Sequence, residues 1–143
     1  MKSFRLKNGY LLRLDKGEEV VDTILNFAEK MKIKSGSISG IGAVTDCVLG
    51  YFDRNRKTYL NKNFNDIYEV IALNGNITYF EQKPILHSHI CIGDPHFNAF
   101  GGHLFSAVVA VTMELFITEI DTRINRGFVE EFNLNLIDST EDA

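Results

Sequence analysis

The chain has 143 residues, of which 45% are hydrophobic and 24% are charged, which is enough to bury the core of one domain. The formal net charge of −4 disfavours a protein that binds nucleic acid through an overall basic surface. The sequence has neither a run of about 18 apolar residues nor a secretory signal pattern. We therefore expect a cytoplasmic protein with no membrane-spanning segment.

The first predicted elements are a β-hairpin and a helix. Asn8-Gly9 separates two short apolar runs, which is a strong signal for a hairpin turn. In "DKGEEVVDTILNFAEKMKI" the apolar residues recur at helical spacing, so one helix face is expected to pack inward. Asp15 is the expected N-cap, and Glu18 completes a capping-box pattern three positions later.

The remaining chain is dominated by strand patterns. "SGSISGIGAVTDCVLGYFD", "ILHSHICI" and "SAVVAVTMELFITEI" are all typical of strands. Asn74-Gly75 within "YEVIALNGNITYF" predicts a second hairpin. "FVEEFNLNLI" alternates and predicts the last strand, and residues 137–143 predict a frayed acidic tail. The glycines in "SGSISGIGAV" do not fit G-x-G-x-x-G, which favours close packing or turns over a dinucleotide site.

These elements predict an α+β fold. We expect a mostly antiparallel mixed sheet, with one main helix packed on it, in a single compact domain over residues 1–143. Two cysteines, Cys47 and Cys91, lie in apolar stretches and are expected to be reduced thiols.

All four histidines fall within residues 85–104. His87 and His89 are two apart on a predicted strand, so both side chains point to the same face, about 6.5–7 Å apart along the chain. Imidazole nitrogens bind zinc at about 2.0–2.1 Å, and two such rings form half of a metal site. His103 follows two glycines that permit an unusual backbone path or a close approach. We predict a metal site at His87, His89 and His103, against the alternative of hydrogen-bonded core histidines.

Two further side chains are alternative ligands. His96 lies in a loop with glycine and proline, where histidines commonly face solvent. Cys91 shares a strand face with His87 and His89, and a thiolate ligand would favour a closed structural zinc site. Three histidines alone leave one coordination position open, and such sites also accept other divalent transition metals.

The motifs around the histidines resemble those of a known family. "ILHSHICIGD", "FGGHL" and "VVAVTMELFI" occur in this order, preceded by "GEEVVDTILNFAEKMKIKSGSISGIGAV" and "YEVIALNGNI". Together these motifs resemble the signature of the plants and prokaryotes conserved (PPC) domain, over about Phe4 to Ile120.

The resemblance implies a compact domain that assembles as a homotrimer. It also implies that His87, His89 and His103 correspond to the histidines that hold a metal ion, expected to be zinc, in prokaryotic members. Plant members usually bind AT-rich DNA through an AT-hook, but this sequence contains no Arg-Gly-Arg-Pro element. The family's fold is similar to that of acetolactate decarboxylase, an enzyme with a three-histidine zinc site.

Three carboxylates are candidates to orient a histidine ligand. Glu69 matches an acidic position of the family pattern, Glu114 lies on a long apolar strand, and Asp94 follows the histidine strand. Each could accept a hydrogen bond from a ligand imidazole or take part in acid–base work, whereas the plainer interpretation is an ion pair or backbone hydrogen bonds.

Three functions remain open from the sequence. The first is a zinc-binding homotrimer that recognises a small molecule or a protein partner. The second is a zinc-dependent lyase or hydrolase that acts on a small keto or hydroxy acid. The third is a DNA-binding trimer that would need the basic cluster Arg54, Arg56 and Lys57, against the acidic charge balance.

Overall fold

The structure is a computed structural model that describes residues 1–140. Within this range the chain forms nine strands and one helix. The strands are β1 (Lys2–Leu6), β2 (Gly9–Asp15), β3 (Ser35–Asp53), β4 (Thr58–Phe64), β5 (Tyr68–Phe80), β6 (Lys83–Gly93), β7 (Ala99–Ile120), β8 (Ile124–Val129) and β9 (Leu134–Thr140). The helix is α1 (Val20–Met31). The predicted α+β class, with one compact domain and one helix beside a mixed sheet, is confirmed.

The strands form one sheet in which the pairings are antiparallel except between β5 and β8. The main path runs β1-β2-β7-β3-β5-β8-β9, and β4 pairs with β3. Strand β6 pairs with both β5 and β7, while β3 also pairs with both of these strands. The four strands β3, β5, β6 and β7 therefore close into a ring, which holds β6 along both of its edges.

The core lies between this sheet and α1. Alternate residues of β2 and β7 are buried, as the period of two in a strand requires. The helix turns one face inward and contacts β6 and β7. Its buried side chains are Val20, Ile24, Phe27 and Ala28. Burying a large aliphatic side chain stabilises the fold by about 1.5–3 kcal/mol, so this face holds the helix in place.

The predicted helix is present, but it begins at Val20 and not directly after Asp15, and its cap is a different residue. Glu19 is the N-cap, and its side chain accepts a hydrogen bond from the backbone N–H of Asp22. Asp15 instead ends β2, and Gly17 adopts a left-handed φ of +88° in the turn that follows. The helix cannot extend back through that turn, so the prediction of Asp15 as the cap is wrong.

The first predicted hairpin is confirmed and the second is wrong. Strands β1 and β2 pair across a turn that begins after Leu6 and includes Asn8. Asn74-Gly75, by contrast, lies inside the continuous strand β5. A Cβ on Gly75 would lie 2.4 Å from the backbone oxygen of His87, so this glycine permits close packing of β5 against β6. The turn that joins these two strands comes later, at Glu81 and Gln82.

The C-terminal segment also differs from the prediction. "FVEEFNLNLI" is not one strand but the end of β8, a turn and the start of β9. Asn133 adopts a left-handed φ of +57° in that turn, and its N–H donates to the carbonyl of Glu130. The predicted frayed tail is wrong for residues 137–140, which pair with β8, and residues 141–143 lie outside the described range. Within the described residues, no helix has the length and hydrophobicity needed to cross a membrane.

Candidate metal centre

The pairing of β6 with its two neighbours determines where the histidines lie. His87 and His89 are two apart on β6 and therefore share its outer face. His103 on β7 is directly opposite His89 in the antiparallel register. Directly opposed residues have Cβ atoms about 4.5–5.5 Å apart, so strand pairing alone brings the third imidazole to the first two.

The three imidazoles form a nearly equilateral triangle. The ring centroids lie 5.4 Å apart for His87 and His89, 5.3 Å for His87 and His103, and 5.5 Å for His89 and His103. One nitrogen from each ring lies within 4.8 Å of the other two. Two nitrogens on one tetrahedral zinc ion are about 3.3 Å apart, so small side-chain rotations would close this triangle around an ion.

The glycines before His103 allow β7 to approach its neighbour closely. Both lie inside β7 rather than in a loop. A Cβ on Gly102 would lie 2.8 Å from the backbone oxygen of Gly50 on β3, whereas a Cβ on Gly101 meets nothing closer than 3.4 Å. The sequence left open whether these glycines permit an unusual backbone path or a close approach of two strands. The structure shows the close approach, and Gly102 is the glycine that permits it.

The local environment keeps two of the imidazoles neutral. Burial lowers the pKa of His103 to about 4, with smaller effects from the nearby His87, His89 and Arg126. Burial also lowers the pKa of His87, and the charge of Arg126 adds to this effect. Neutral imidazole is the form that binds metal ions, so the protein does not need to remove a proton from these rings at neutral pH.

His103 also has an unpaired polar atom that suits a metal ligand. Its Nδ1 is buried and makes no hydrogen bond with any described residue. A buried polar nitrogen without a partner costs free energy, and coordination to an ion would remove that cost. The donor set and this unpaired nitrogen fit a metal ion.

Aromatic side chains support the His103 ring. The ring of Tyr59 lies 5.0 Å from it and the ring of Phe105 lies 4.8 Å from it. Tyr59 and Phe105 also pack edge-to-face on each other, at 5.0 Å. These contacts restrict the rotation of His103, which is what a preorganised ligand requires.

Two residues beside the centre were missed by the sequence analysis. A cavity of about 260 Å³ adjoins the histidines and is lined by His87, His103, Tyr59 and Arg126, among others. Tyr59 arrives from β4 and Arg126 from β8, far from the histidines along the chain. No local motif marks either residue, because only the pairing of β4 with β3 and of β8 with β5 brings them here.

The other candidate ligands lie outside the triangle. His96 is exposed in the loop after β6. Cys91 is a free thiol two residues beyond His89, and it is not among the residues whose donor atoms converge. Cys47 is also free and is buried. The three histidines are thus the group of described residues able to hold an ion in this region.

The three carboxylates lie in two other places. Asp94 accepts hydrogen bonds from the backbone N–H groups of His96 and Asn98 and from the Asn98 side chain, which organises the loop after β6. Glu69 and Glu114 line a shared cleft on β5 and β7. None of the hydrogen bonds found among the described residues joins these carboxylates to His87, His89 or His103, and their orienting role stays a prediction.

The arrangement combines three imidazole nitrogen donors with an adjoining cavity. Such a donor set binds zinc or another divalent transition metal and leaves a coordination position for water or a ligand. When bound, the metal would acidify a water molecule or polarise a carbonyl group at that position.

Solved structures with the same fold include three similar proteins. A protein from Bacteroides thetaiotaomicron, provisionally named a DNA-binding protein, is 31% identical, with a TM-score of 0.93 and 96% of each chain covered. A plant- and prokaryote-conserved protein from Pyrococcus horikoshii is 32% identical, with a TM-score of 0.86, and the match covers 96% of this chain and 94% of that one. A metal-containing protein from Archaeoglobus fulgidus is 35% identical, with a TM-score of 0.85, and the match covers 97% of this chain and all of that one.

The match to a family model agrees with these structures. No protein among those with curated descriptions matches the chain. The model of the Plants and Prokaryotes Conserved (PCC) domain matches residues 1–121, which include the helix and all three histidines. The chain therefore belongs to the Plants and Prokaryotes Conserved domain family, abbreviated PCC or PPC.

Proposed function

We propose that this protein is a cytoplasmic metal-binding domain in which His87, His89 and His103 hold zinc. The observation that supports this most strongly is the convergence of three imidazoles, with a buried and unpaired Nδ1 on one of them. The similarity to a metal-containing protein from Archaeoglobus fulgidus adds support from outside the chain. Three histidine ligands would leave one position of a four-coordinate zinc ion open, so the site would be able to bind a small molecule there.

Metal analysis of protein purified without a histidine tag tests this proposal. We expect about one zinc ion per chain after equilibration with zinc and gel filtration. His103→Ala removes one of three ligands and should lose most of the bound metal. His96→Ala is the matched control, because it removes the fourth histidine from an exposed loop and should leave the zinc content unchanged. Equal zinc in both variants would contradict the proposal.

We also propose that the chain assembles as a homotrimer, as its family resemblance implies. Large apolar side chains are exposed on the outer face of the ring strands, where a partner chain would cover them. They are Ile41, Ile71, Val111 and Phe116, with exposed fractions of 58%, 55%, 65% and 50%. A single chain in water would leave this surface unburied, so a second copy is its natural partner.

DNA binding is the second candidate function. Support comes from the provisional DNA-binding names of similar proteins from Bacteroides thetaiotaomicron and Ralstonia eutropha. In this chain Arg54, Arg56 and Lys57 are exposed in the turn between β3 and β4, and a trimer would carry three copies of this basic turn. The net charge of −4 opposes this function.

A fluorescence polarisation titration with an AT-rich duplex separates the two functions. If DNA is the partner, binding weakens steeply as salt rises, and replacing Arg54, Arg56 and Lys57 by glutamine lowers the affinity. The matched control replaces Lys30, Lys32 and Lys34 at the end of α1. No binding at low salt would exclude the DNA function and leave the metal site as the functional centre.

A further inference from the structure

The cavity beside the histidines is closed on one side by the β8–β9 hairpin. This hairpin lies outside residues 1–121, the part that the family model matches. Strand β8 pairs in parallel with β5, and Asn76 on β5 is directly opposite His87 on β6. The hairpin therefore brings its own side chains to the histidine cluster. The apolar lining residues are Ile85, Leu86, Leu134 and Leu136.

Arg126 is the one cation that lines this cavity. Its Nε donates to Thr78 Oγ1 at 2.6 Å, Nη1 to the Asn135 carbonyl at 2.9 Å, and Nη2 to Asn76 Oδ1 at 3.0 Å. These three hydrogen bonds fix the guanidinium plane. A guanidinium has five N–H donors, so two remain for another partner.

The charge of Arg126 is not neutralised within the described chain. None of the ion pairs found there includes Arg126, and none of the described residues that line the cavity is an aspartate or a glutamate. The guanidinium is half-buried, and burial lowers its pKa. A cation withdrawn from water without a counter-charge is costly, and an anion in the cavity would offset this cost.

Other polar atoms of the cavity also lack partners. The side-chain oxygen of Asn135 and the Nδ1 of His103 are both buried without a hydrogen bond, and both residues line the cavity. The His103 Nδ1 is a nitrogen that the metal ion would take, whereas the Asn135 side-chain amide can donate to an anion in the cavity when its NH2 group is turned there.

We propose that Arg126 recognises the carboxylate of a small acid with an apolar chain, bound in the cavity beside the metal centre. This inference rests on the proposed metal function, because the ligand also occupies the open side of the histidine cluster. One guanidinium matches one carboxylate in charge and geometry. The four aliphatic side chains suit a short hydrocarbon chain better than a phosphate, which would need more donors and fewer apolar walls.

Isovalerate, isovaleramide and inorganic phosphate are the probes for this proposal, measured by isothermal titration calorimetry on zinc-loaded protein at low salt. The acid and the amide have the same shape but differ in charge. We expect isovalerate to bind at least about tenfold more tightly than isovaleramide, since a charge-assisted hydrogen bond is lost in the amide. We also expect isovalerate to bind more tightly than phosphate.

Two pairs of variants isolate the guanidinium. Arg126→Gln should weaken isovalerate binding at least about tenfold, whereas Arg123→Gln removes a charge next to the same hairpin, outside the cavity lining, and should not. Replacing Arg126 also removes a hydrogen bond within the β8–β9 hairpin. A second pair of variants therefore keeps Arg126 and changes Leu136. Leu136→Glu puts a competing carboxylate on the cavity wall and should weaken binding, whereas Leu136→Gln has the same size without the charge and should weaken it much less.

The zinc content of every sample separates this inference from the proposed function. Equal affinity for the acid and the amide, unchanged binding in Arg126→Gln, tighter binding of phosphate, or no binding of isovalerate would each overturn the carboxylate site, even with zinc present. Binding of isovalerate that depends on Arg126 in protein unable to take up zinc would support the carboxylate site and overturn the metal site.

Discussion

The candidate metal centre depends on single residues that strand period and register bring together. His-x-His could be interpreted from the sequence because alternate residues of a strand share a face. The glycines before His103 indicated that this imidazole belonged with the other two. Arg126 could not be found in this way, because its position depends on the parallel pairing of two strands that are distant along the chain.

Gly102→Ala should destabilise the protein and distort the metal site. Its Cβ would lie 2.8 Å from a backbone oxygen of β3, which cannot rotate away as a side chain can. We expect the free energy of unfolding to fall by about 1–3 kcal/mol, with a loss of zinc affinity because His103 is the next residue. Urea denaturation and zinc titration measure both effects.

Gly101→Ala is the control for this prediction. Its Cβ meets nothing closer than 3.4 Å, so stability should change by less than about 0.5 kcal/mol. If the two substitutions have the same effect, the close approach of β7 to β3 does not determine the position of His103.

At the scale of elements, the chain pattern predicted which segments are strands better than where they end. Long alternating runs identified β3, β6 and β7, since a buried face repeats every second residue. Asn74-Gly75 was misleading because the same glycine that permits a turn also permits close packing of two strands. A glycine in a turn and a glycine in a closely packed strand are distinguished here only by the contact of Gly75 with β6. That contact forms between segments that are apart along the chain, so the local sequence pattern does not reveal it.

The two candidate N-caps of α1, Glu19 and Asp15, predict different losses of stability when each is replaced by alanine. The Glu19 side chain accepts hydrogen bonds from the N–H of Asp22 and from the N–H of Ala107 on β7, so it joins the helix to the sheet. Glu19→Ala should lower the free energy of unfolding by about 1–2 kcal/mol. Thermal and urea unfolding, followed by circular dichroism, measure this loss.

Asp15→Ala provides the comparison. Asp15 forms ion pairs with the N-terminus and with Arg13, and both lie at the surface, where such pairs contribute little. We expect a smaller loss of stability than in Glu19→Ala. A larger loss in Asp15→Ala would mean that the capping box predicted from the sequence is the one that matters.

At the scale of the whole molecule, the ring of four strands carries both the histidine cluster and the exposed apolar side chains. We predict that the wild-type protein has a mass in solution three times the 16.2 kDa of one chain. Ile41→Glu should dissociate the trimer, because it buries a charge in the proposed contact. Light scattering coupled to gel filtration measures the mass.

Ile137→Glu is the matched control for the assembly. Ile137 has nearly the same exposed fraction as Ile41, 57% against 58%, but lies on the β8–β9 hairpin and not on the ring strands. It should remain trimeric. A monomeric wild-type protein, or dissociation by both substitutions, would contradict the proposed contact face.

X-ray absorption spectroscopy of the zinc-loaded protein tests the three-histidine site most directly. The proposed centre predicts three imidazole nitrogens and one further oxygen or nitrogen, at about 2.0–2.1 Å from zinc. A sulfur neighbour at about 2.3 Å would instead place Cys91 in the site and close it. That result, or a spectrum with fewer than three imidazoles, would contradict an open metal centre formed by His87, His89 and His103.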